Sequence, residues 1–148
     1  MSIIQIVDRR MSVYKILSNR GERIMIFLCM GYYNPEKMDA RPRTEIEAIM
    51  SECQPHIENF YNSGEVLLDA GLDTESKSLR RVDGKIIVTD GPCTETKEMI
   101  GSIFIFEAEN MDEAIQLASL HPTTQVSKGE KFGWRIEIRP VHYFKNNK

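Results

Sequence analysis

The sequence predicts an α+β protein with an antiparallel sheet of the split βαβ type, an inserted hairpin, and two helices packed on one face of the sheet. Two observations support this prediction. Apolar and alternating segments follow one another in the order strand, helix, strand, hairpin, strand, helix, strand. The chain has 148 residues, of which 41% are hydrophobic and 28% are charged, as is typical of one globular domain with an ordinary core.

The first strand and the first helix have clear patterns. Residues 24–30 are apolar without interruption and too few for a typical helix, which predicts a central strand buried on both faces. Thr44 and Glu47 have the spacing of a capping box, and apolar residues then recur at helical spacing until Gly64. Pro55 lies inside this helix and is expected to kink it or to split it into two pieces.

The middle of the chain is predicted to hold a strand, a hairpin and a further strand. Residues 66–72 are largely apolar and form the first of these strands. Residues 78–89 form the hairpin around Asp83-Gly84, a dipeptide that is preferred in two-residue loops. Residues 100–108 form the next strand, in which successive apolar side chains point to opposite faces.

The second helix and the last strand complete the predicted order. Asn110 caps the helix, Glu113 occupies its third position, and Pro122 ends it. Residues 123–130 are predicted to be a polar loop. From Phe132 onwards apolar and polar residues alternate, which predicts a strand with one polar face.

Domain boundaries follow from these patterns. Residues 1–22 show no sustained period of either kind, and we interpret them as an N-terminal extension that is dispensable for the fold. Residues 23–144 are predicted to form the folded domain. Residues 145–148 are polar and are expected to form a flexible tail.

The predicted sheet has a second face that two helices cannot cover. Residues 103–106 place branched side chains on one face and aromatic side chains on the other. One of these sets therefore needs another partner, and a second copy of the chain is the simplest one. The sequence predicts a homodimer.

Charge and cysteine content narrow the classes of function. The formal net charge is −3 with acids and bases interspersed, so no broad basic surface is expected to bind nucleic acid. The longest apolar run, residues 24–30, is too short to span a membrane. Three widely spaced cysteines indicate neither a disulfide framework nor a metal site, and they fit a reducing cytoplasm. Since no nucleotide-binding fingerprint occurs, no cofactor is expected.

A rigid turn follows the strand that contains Val88. Gly91 and Pro92 restrict the backbone there, and Asp90 directly precedes them. We expect this turn to hold Glu95, Lys97 and Glu98 at the mouth of the sheet. Asp90, at the end of the strand beside a partly apolar cavity, is predicted to act as a general base or to orient a substrate. The alternative is that Asp90 only caps the backbone of the turn.

Further charged residues around this turn are candidates for binding. Lys97 offers a cation to an anionic ligand. Glu95 and Glu98 form either a carboxylate pair or a solvated face. Arg139, on the polar face of the last strand, either lines the cavity or belongs to a ladder of ion pairs across strands.

His121 follows the second helix and directly precedes Pro122. It is predicted to be a general acid, because an imidazole titrates near the pH at which enzymes work. The alternative is that it acts as a cation at the C-terminus of the helix and interacts with the helix dipole.

Four segments of the sequence resemble a known family. The chain resembles the YCII-related proteins of the DGPF type, a group of bacterial proteins, over about residues 24–144. Cys93 stands where the family usually has Phe. The segments that carry the resemblance are residues 88–98, 100–104, 111–114 and 136–141.

The resemblance implies a ferredoxin-like fold that pairs as a dimeric α/β barrel. It implies less about activity, because the wider superfamily contains lyases, dehalogenase-like enzymes and monooxygenases, and similar proteins are often linked to alternative sigma factors. A His-Asp pair is suspected in some YCII proteins, and its His is not assigned to a position of this sequence. Fold similarity by itself does not determine function.

Two hypotheses for function follow. In the first, a dimer cavity binds a small anionic or carbonyl-bearing molecule and acts on it as a cofactor-free lyase or isomerase, with Asp90, Lys97 and His121 as base or anchor, anion contact and acid. In the second, the chain is a non-catalytic accessory or ligand-sensing module that contacts a protein, with a link to sigma-factor regulation.

Overall fold

A computed structural model describes residues 4–8, 13–17, 23–64, 66–91 and 97–145. Eight strands and four α-helices form in these segments, together with one 3-10 helix. The strands are β1 (Ile4–Asp8), β2 (Val13–Leu17), β3 (Arg23–Tyr33), β4 (Val66–Gly71), β5 (Ser76–Val82), β6 (Lys85–Gly91), β7 (Met99–Ala108) and β8 (Arg135–Pro140). The helices are α1 (Pro35–Asp39), α2 (Arg43–Asn62), α3 (Met111–Ala118), α4 (Pro122–Gln125) and the 3-10 helix Ser127–Phe132.

The main sheet is antiparallel and is organised around β3. Its order is β1-β2-β3-β7-β4, and β8 pairs with β3 as well. Strand β7 lies along one edge of β3, while β8 and β2 follow one another along the other edge, opposite residues 27–32 and 23–25 respectively. The predicted α+β class and its antiparallel pairing are confirmed.

The face of the sheet that meets the helices is aromatic. Phe27 lies opposite Phe106, and Cys29 lies opposite Phe104, because the registers of β3 and β7 bring these positions together. All four side chains are fully buried. Phe60 of α2 packs on them, as do the small buried residues of α3, Ala114 and Ala118. The small alanines let α3 approach the sheet closely, so aromatic rings supply most of the core volume.

Helix α2 is continuous, but it does not begin as the sequence predicts. Pro42 is its N-cap residue, no side chain caps it, and Thr44 lies inside the first turn. The predicted capping box is therefore wrong; Glu47 forms an ion pair with Arg43 instead, at 3.1 Å. Pro55 does not split the helix, although its ring removes one amide donor from the backbone.

Helix α3 begins at the predicted cap. The side chain of Asn110 accepts a hydrogen bond from the backbone N–H of Glu113 at 2.8 Å. The Glu113 carboxylate in turn accepts a hydrogen bond from the backbone N–H of Glu109 at 2.9 Å. One free amide donor of the first turn, that of Glu113, is thereby satisfied, together with the N–H of Glu109, which precedes the cap residue.

Strands β5 and β6 form a two-stranded sheet of their own. Val82 pairs with Lys85 across a two-residue loop, in which Asp83 and Gly84 both have positive φ, +50° and +79°. This is the backbone that the Asp-Gly dipeptide favours, so the predicted hairpin is confirmed.

Residues 123–130 are not the predicted loop. Helix α4 and the 3-10 helix occupy most of this segment, and Phe132 ends the 3-10 helix instead of opening the last strand. Gly133 then adopts a φ of +67°, and β8 begins two residues later, at Arg135. Phe132, Ile49 and Val126 are buried together in a second, smaller core.

The N-terminal extension contains two strands. β1 pairs with β2, and β2 pairs with β3, so residues 4–8 and 13–17 extend the main sheet. The sequence gives no periodic signal for these short strands. Their dispensability stays a prediction. Within the described residues, no helix combines the length and the apolar character that crossing a membrane requires.

Candidate functional site

A cavity of about 440 Å³ lies between α2 and one end of the main sheet. Its lining includes Gly31, Gly101 and Ser102 from the sheet and Met50, Cys53 and Ile57 from the helix. A side chain at Gly31 would collide with the hydroxyl of Ser102, which lies opposite Gly31 in the register of β3 and β7. The absence of a side chain at this position keeps the cavity open.

His121 reaches the cavity from the turn between α3 and α4. Its backbone is extended, with φ −66° and ψ 145°, which is the conformation that a following proline favours. Its Nδ1 accepts a hydrogen bond from the backbone N–H of Thr123 at 3.2 Å. Because a backbone amide can only donate, Nδ1 is the acceptor in this contact. Oγ1 of Thr123 lies 2.9 Å from the same nitrogen, and its hydroxyl can donate to it as well. In this arrangement the N–H of the ring is at Nε2.

Aromatic rings fix the plane of the imidazole. The ring of Phe104 stacks on His121 with centroids 4.3 Å apart and planes 5° apart. Phe60 meets it edge-on, at 5.2 Å and 82°. Only 5% of His121 is exposed. The ring therefore has one orientation, and Nε2 points in a defined direction.

Asp69 is the group that Nε2 faces. The distance from Nε2 of His121 to Oδ1 of Asp69 is 3.8 Å, which is an electrostatic contact longer than a hydrogen bond. Asp69 lies on β4 directly opposite Phe104 of β7. Because the ring of Phe104 stacks on His121, the pairing of β4 with β7 brings the Asp69 carboxylate close to the imidazole. Its side chain is 15% exposed. The hydroxyl of Tyr61 donates to Oδ2 at 2.5 Å.

These neighbours set the charge of Asp69. His121 lowers the pKa of the Asp69 carboxyl, burial acts in the opposite direction, and the hydrogen bond from Tyr61 lowers the pKa further. The net shift is downward, so Asp69 is ionised at neutral pH. The same hydrogen bond raises the pKa of Tyr61 to about 12, which keeps that hydroxyl protonated as a donor.

The pair places a proton donor beside a proton acceptor. Nε2–H of His121 can donate to an oxygen of a ligand, while Oδ1 of Asp69 can accept a proton from the same ligand. Most of the remaining lining is apolar, which suits the carbon skeleton of a small ligand. Among the described residues, no group of three or more His, Cys, Asp or Glu side chains is placed to hold a metal ion.

Of the predicted site residues, the structure places His121 in the cavity and Asp90 elsewhere. Asp90 lies near the end of β6 with its side chain 85% exposed, and it forms an ion pair with Lys77 across the hairpin. Within one chain, Asp90 and His121 are therefore not brought into one site.

The predicted binding residues that the structure describes are not part of the cavity lining. Lys97 and Arg139 are exposed, and neither belongs to the cavity lining. Glu98 pairs through both carboxylate oxygens with Arg135, at 2.6 and 3.1 Å, which lowers the pKa of Glu98. This ion pair joins Glu98 to the last strand, β8. Glu95 lies outside the described residues.

Sequence reasoning missed Asp69 and Tyr61. One signal could have identified Asp69, because it is the single acid in the otherwise apolar strand β4. An ionisable residue inside such a strand needs a buried partner or a function. Tyr61 gives no comparable signal, since exposed tyrosines are common at the ends of helices.

The fold and the cavity define a small α+β protein with a His-Asp pair beside an apolar pocket. Residues 25–133 match the YCII-related domain, so the chain belongs to the YCII-related family. An uncharacterized protein of Rhizobium meliloti (strain 1021) is 26% identical to this chain over 123 residues, which cover 82% of this chain and 95% of that protein. The resemblance to YCII-related proteins is thereby confirmed at the level of the family.

Proposed function

We propose that the cavity binds a small carbonyl-bearing molecule, and that Asp69 and His121 catalyse proton abstraction beside the carbonyl, as a cofactor-free isomerase or lyase. One observation carries this proposal. A buried imidazole, held in a single tautomer, faces an ionised carboxylate at 3.8 Å inside a cavity of about 440 Å³. A cavity of this size suits a small organic ligand.

The two residues have different roles in this reaction. Nε2–H of the neutral His121 donates a hydrogen bond to the carbonyl oxygen and stabilises the negative charge that develops there. The carboxylate of Asp69 takes the proton from the neighbouring carbon, and the electron pair of the C–H bond forms the double bond of an enolate. Return of the proton to another carbon completes an isomerisation, whereas departure of a leaving group completes a lyase reaction.

Exchange of hydrogen for deuterium tests the proposal without knowledge of the product. A panel of small ketones, aldehydes and esters is screened by thermal shift, and each compound that raises the melting temperature is incubated with the protein in D₂O. Loss of the proton signal beside the carbonyl, followed by NMR, measures abstraction. We expect Asp69→Asn and His121→Asn to slow exchange by roughly two to four orders of magnitude.

Asp90→Asn is the matched control, because Asp90 is exposed on the hairpin. We expect it to leave exchange unchanged. Fast exchange in the Asp69 variant together with slow exchange in the Asp90 variant would overturn the assignment of Asp69 as the base. It would support Asp90, the base that the sequence suggested. Absence of any exchange across the panel would overturn the proposed activity.

We propose further that the subunit is ferredoxin-like and that two copies pair as a dimeric α/β barrel, as expected for the DGPF type. We propose the cytoplasm as the location of this dimer. Exposed apolar side chains support this pairing. Leu79, Ile86 and Val88 of the hairpin are 68%, 69% and 58% exposed. Leu68, on the face of β4 opposite to Asp69, is 46% exposed. Sedimentation at micromolar concentration tests the proposal, and a monomer would overturn it.

The exposed hairpin also favours a second candidate, an accessory module that docks a protein involved in regulation through a sigma factor. Two-stranded hairpins are marginally stable alone, so the apolar residues on this one suit a docking surface. Affinity capture from cell extract separates the candidates. A stoichiometric protein partner would support the accessory role, and a copurifying metabolite would support the cavity.

A further inference from the structure

We propose that the cavity selects a carbonyl compound that carries a protonated amine, and that it rejects carboxylates and phosphates. This inference rests on the proposed function and names the ligand class of the same site. It differs from the anionic ligand that the sequence suggested.

The charges around the cavity are negative. Among the described residues that line it, the side chains that carry a full charge at neutral pH are the carboxylates Asp39 and Asp69, and neither Lys nor Arg contributes. His121 can contribute at most one positive charge, so the two carboxylates outnumber the cationic groups among the described lining residues. A carboxylate ligand would be repelled by these two carboxylates, whereas an ammonium group would be attracted to them.

The carboxylate of Asp39 also acts on Tyr33. This residue lines the cavity, and its pKa is raised first by burial and then by the negative charges of Asp39 and Asp73. The field that disfavours a tyrosinate here also disfavours an anionic ligand. Arg135 stacks on the ring of Tyr32, another lining residue, at 4.1 Å. Its positive charge does not offset the carboxylates of the cavity, because it is paired with Glu98 and Glu137.

The remaining lining suits the body of an amine. Trp134 presents an indole ring, which packs against Phe132 with ring centroids 5.9 Å apart. Aromatic faces attract ammonium groups, and apolar side chains such as Met38 accommodate the carbon skeleton. An ammonium group carries three N–H donors, and the hydroxyl oxygens of Ser102 and Thr123 are acceptors among the lining residues.

An amine also assists the proposed chemistry. A positive charge next to the carbonyl makes the neighbouring C–H more acidic, because it stabilises the negative charge that forms when the proton leaves. The carbonyl oxygen remains available to Nε2–H of His121. The charge selection and the proton abstraction therefore use different atoms of one ligand.

Three probes with nearly the same body but different charge test the selection: phenethylamine, phenethyl alcohol and phenylacetate. Calorimetry measures their dissociation constants at neutral pH and low salt. We expect phenethylamine to bind at least about tenfold more tightly than phenylacetate, with the alcohol between them. Binding of phenylacetate equal to or tighter than that of phenethylamine would overturn the inference.

Two variants identify the source of the selection. Asp69→Asn is expected to reduce the preference for phenethylamine over phenylacetate, and so is Asp39→Asn, which changes an exposed residue and is expected to fold normally. Asp90→Asn is the control and should keep the wild-type preference. An unchanged preference in both Asp69 and Asp39 variants would overturn the inference. If the wild type shows no preference for phenethylamine but still exchanges the hydrogen of carbonyl compounds, the inference fails and the proposed function stands. If the wild type shows no exchange, both fail.

Discussion

Phe60 joins the core to the candidate site, which makes its truncation informative. Its side chain is fully buried, its ring meets Phe104 at 5.2 Å in a T-shaped arrangement, and it meets His121 edge-on at the same distance. Phe60→Ala removes both contacts. It leaves a cavity beside the imidazole that the surrounding aromatic rings can fill only in part.

The expected loss of stability can be estimated from this burial. Truncation of a fully buried Phe to Ala lowers the free energy of unfolding by about 3–5 kcal/mol, which includes the aromatic contacts. A chain of 148 residues has an unfolding entropy near the melting temperature of roughly 0.3 kcal/mol per degree. The melting temperature should therefore fall by about 10 °C or more.

Circular dichroism during heating, together with urea denaturation, measures the effect. Ile115→Ala is the control for truncation at a half-exposed position, because Ile115 is 48% exposed on α3. It removes three carbon atoms, against six in Phe60→Ala. We expect the control to change the free energy of unfolding by less than about 1 kcal/mol. A decrease of less than about 1 kcal/mol for Phe60→Ala would refute its placement in the core.

Three further predictions concern the charge of Asp69, cysteine reactivity and one backbone position. The pKa of Asp69 is lower in the folded protein than its ordinary value of 3.8, so its stabilising effect is present above that pH and is lost as the pH falls through the folded-state pKa. The difference in unfolding free energy between wild type and Asp69→Asn should therefore become smaller as the pH is lowered from 7 to about 3. Urea denaturation measures this difference, and a constant value would contradict the lowered pKa of Asp69. Burial raises the pKa of Cys29 to about 12, so iodoacetamide at mildly alkaline pH should modify Cys29 more slowly than the half-buried Cys53, and mass spectrometry measures both rates. Gly133→Ala should lower the free energy of unfolding by about 1–2 kcal/mol, since its φ is +67°. Gly71→Ala, where an added Cβ meets no atom within 4 Å, should have a smaller effect in the same urea titrations.

Patterns with a strong local cause were predictable from the sequence. Asp83-Gly84 determines its turn through the backbone preferences of two residues, and Asn110 caps α3 through contacts within one turn. The capping box at Thr44 failed because its spacing does not determine where a helix begins; α2 starts directly after Pro42. Short elements, such as α4, contain too few residues to show a period.

The candidate site was only half predictable, for a tertiary reason. His121 and its proline have a recognisable local pattern, and the prediction placed this residue among the catalytic candidates. Asp69 is far from it in the sequence, and the two meet only because β4 pairs with β7 and places Asp69 opposite Phe104. Asp90 directly precedes the conspicuous Gly91-Pro92 pattern, but its hairpin forms a sheet of its own, and Asp90 is not among the residues that line the cavity.

The arrangement of β2 and β8 along one edge of β3 has a consequence for shortened forms of the protein. Deletion of residues 1–22 leaves β8 paired with residues 27–32 but removes the neighbour of residues 23–25. In the full chain the outermost strand on this side is β1, which has only five residues. The shortened chain exposes instead backbone N–H and C=O groups of the long strand β3, to which a strand of another molecule can add. The shortened chain can therefore retain the cavity and still be less soluble than the full chain. The N-terminal strands would then protect the protein against aggregation, even if the cavity does not need them.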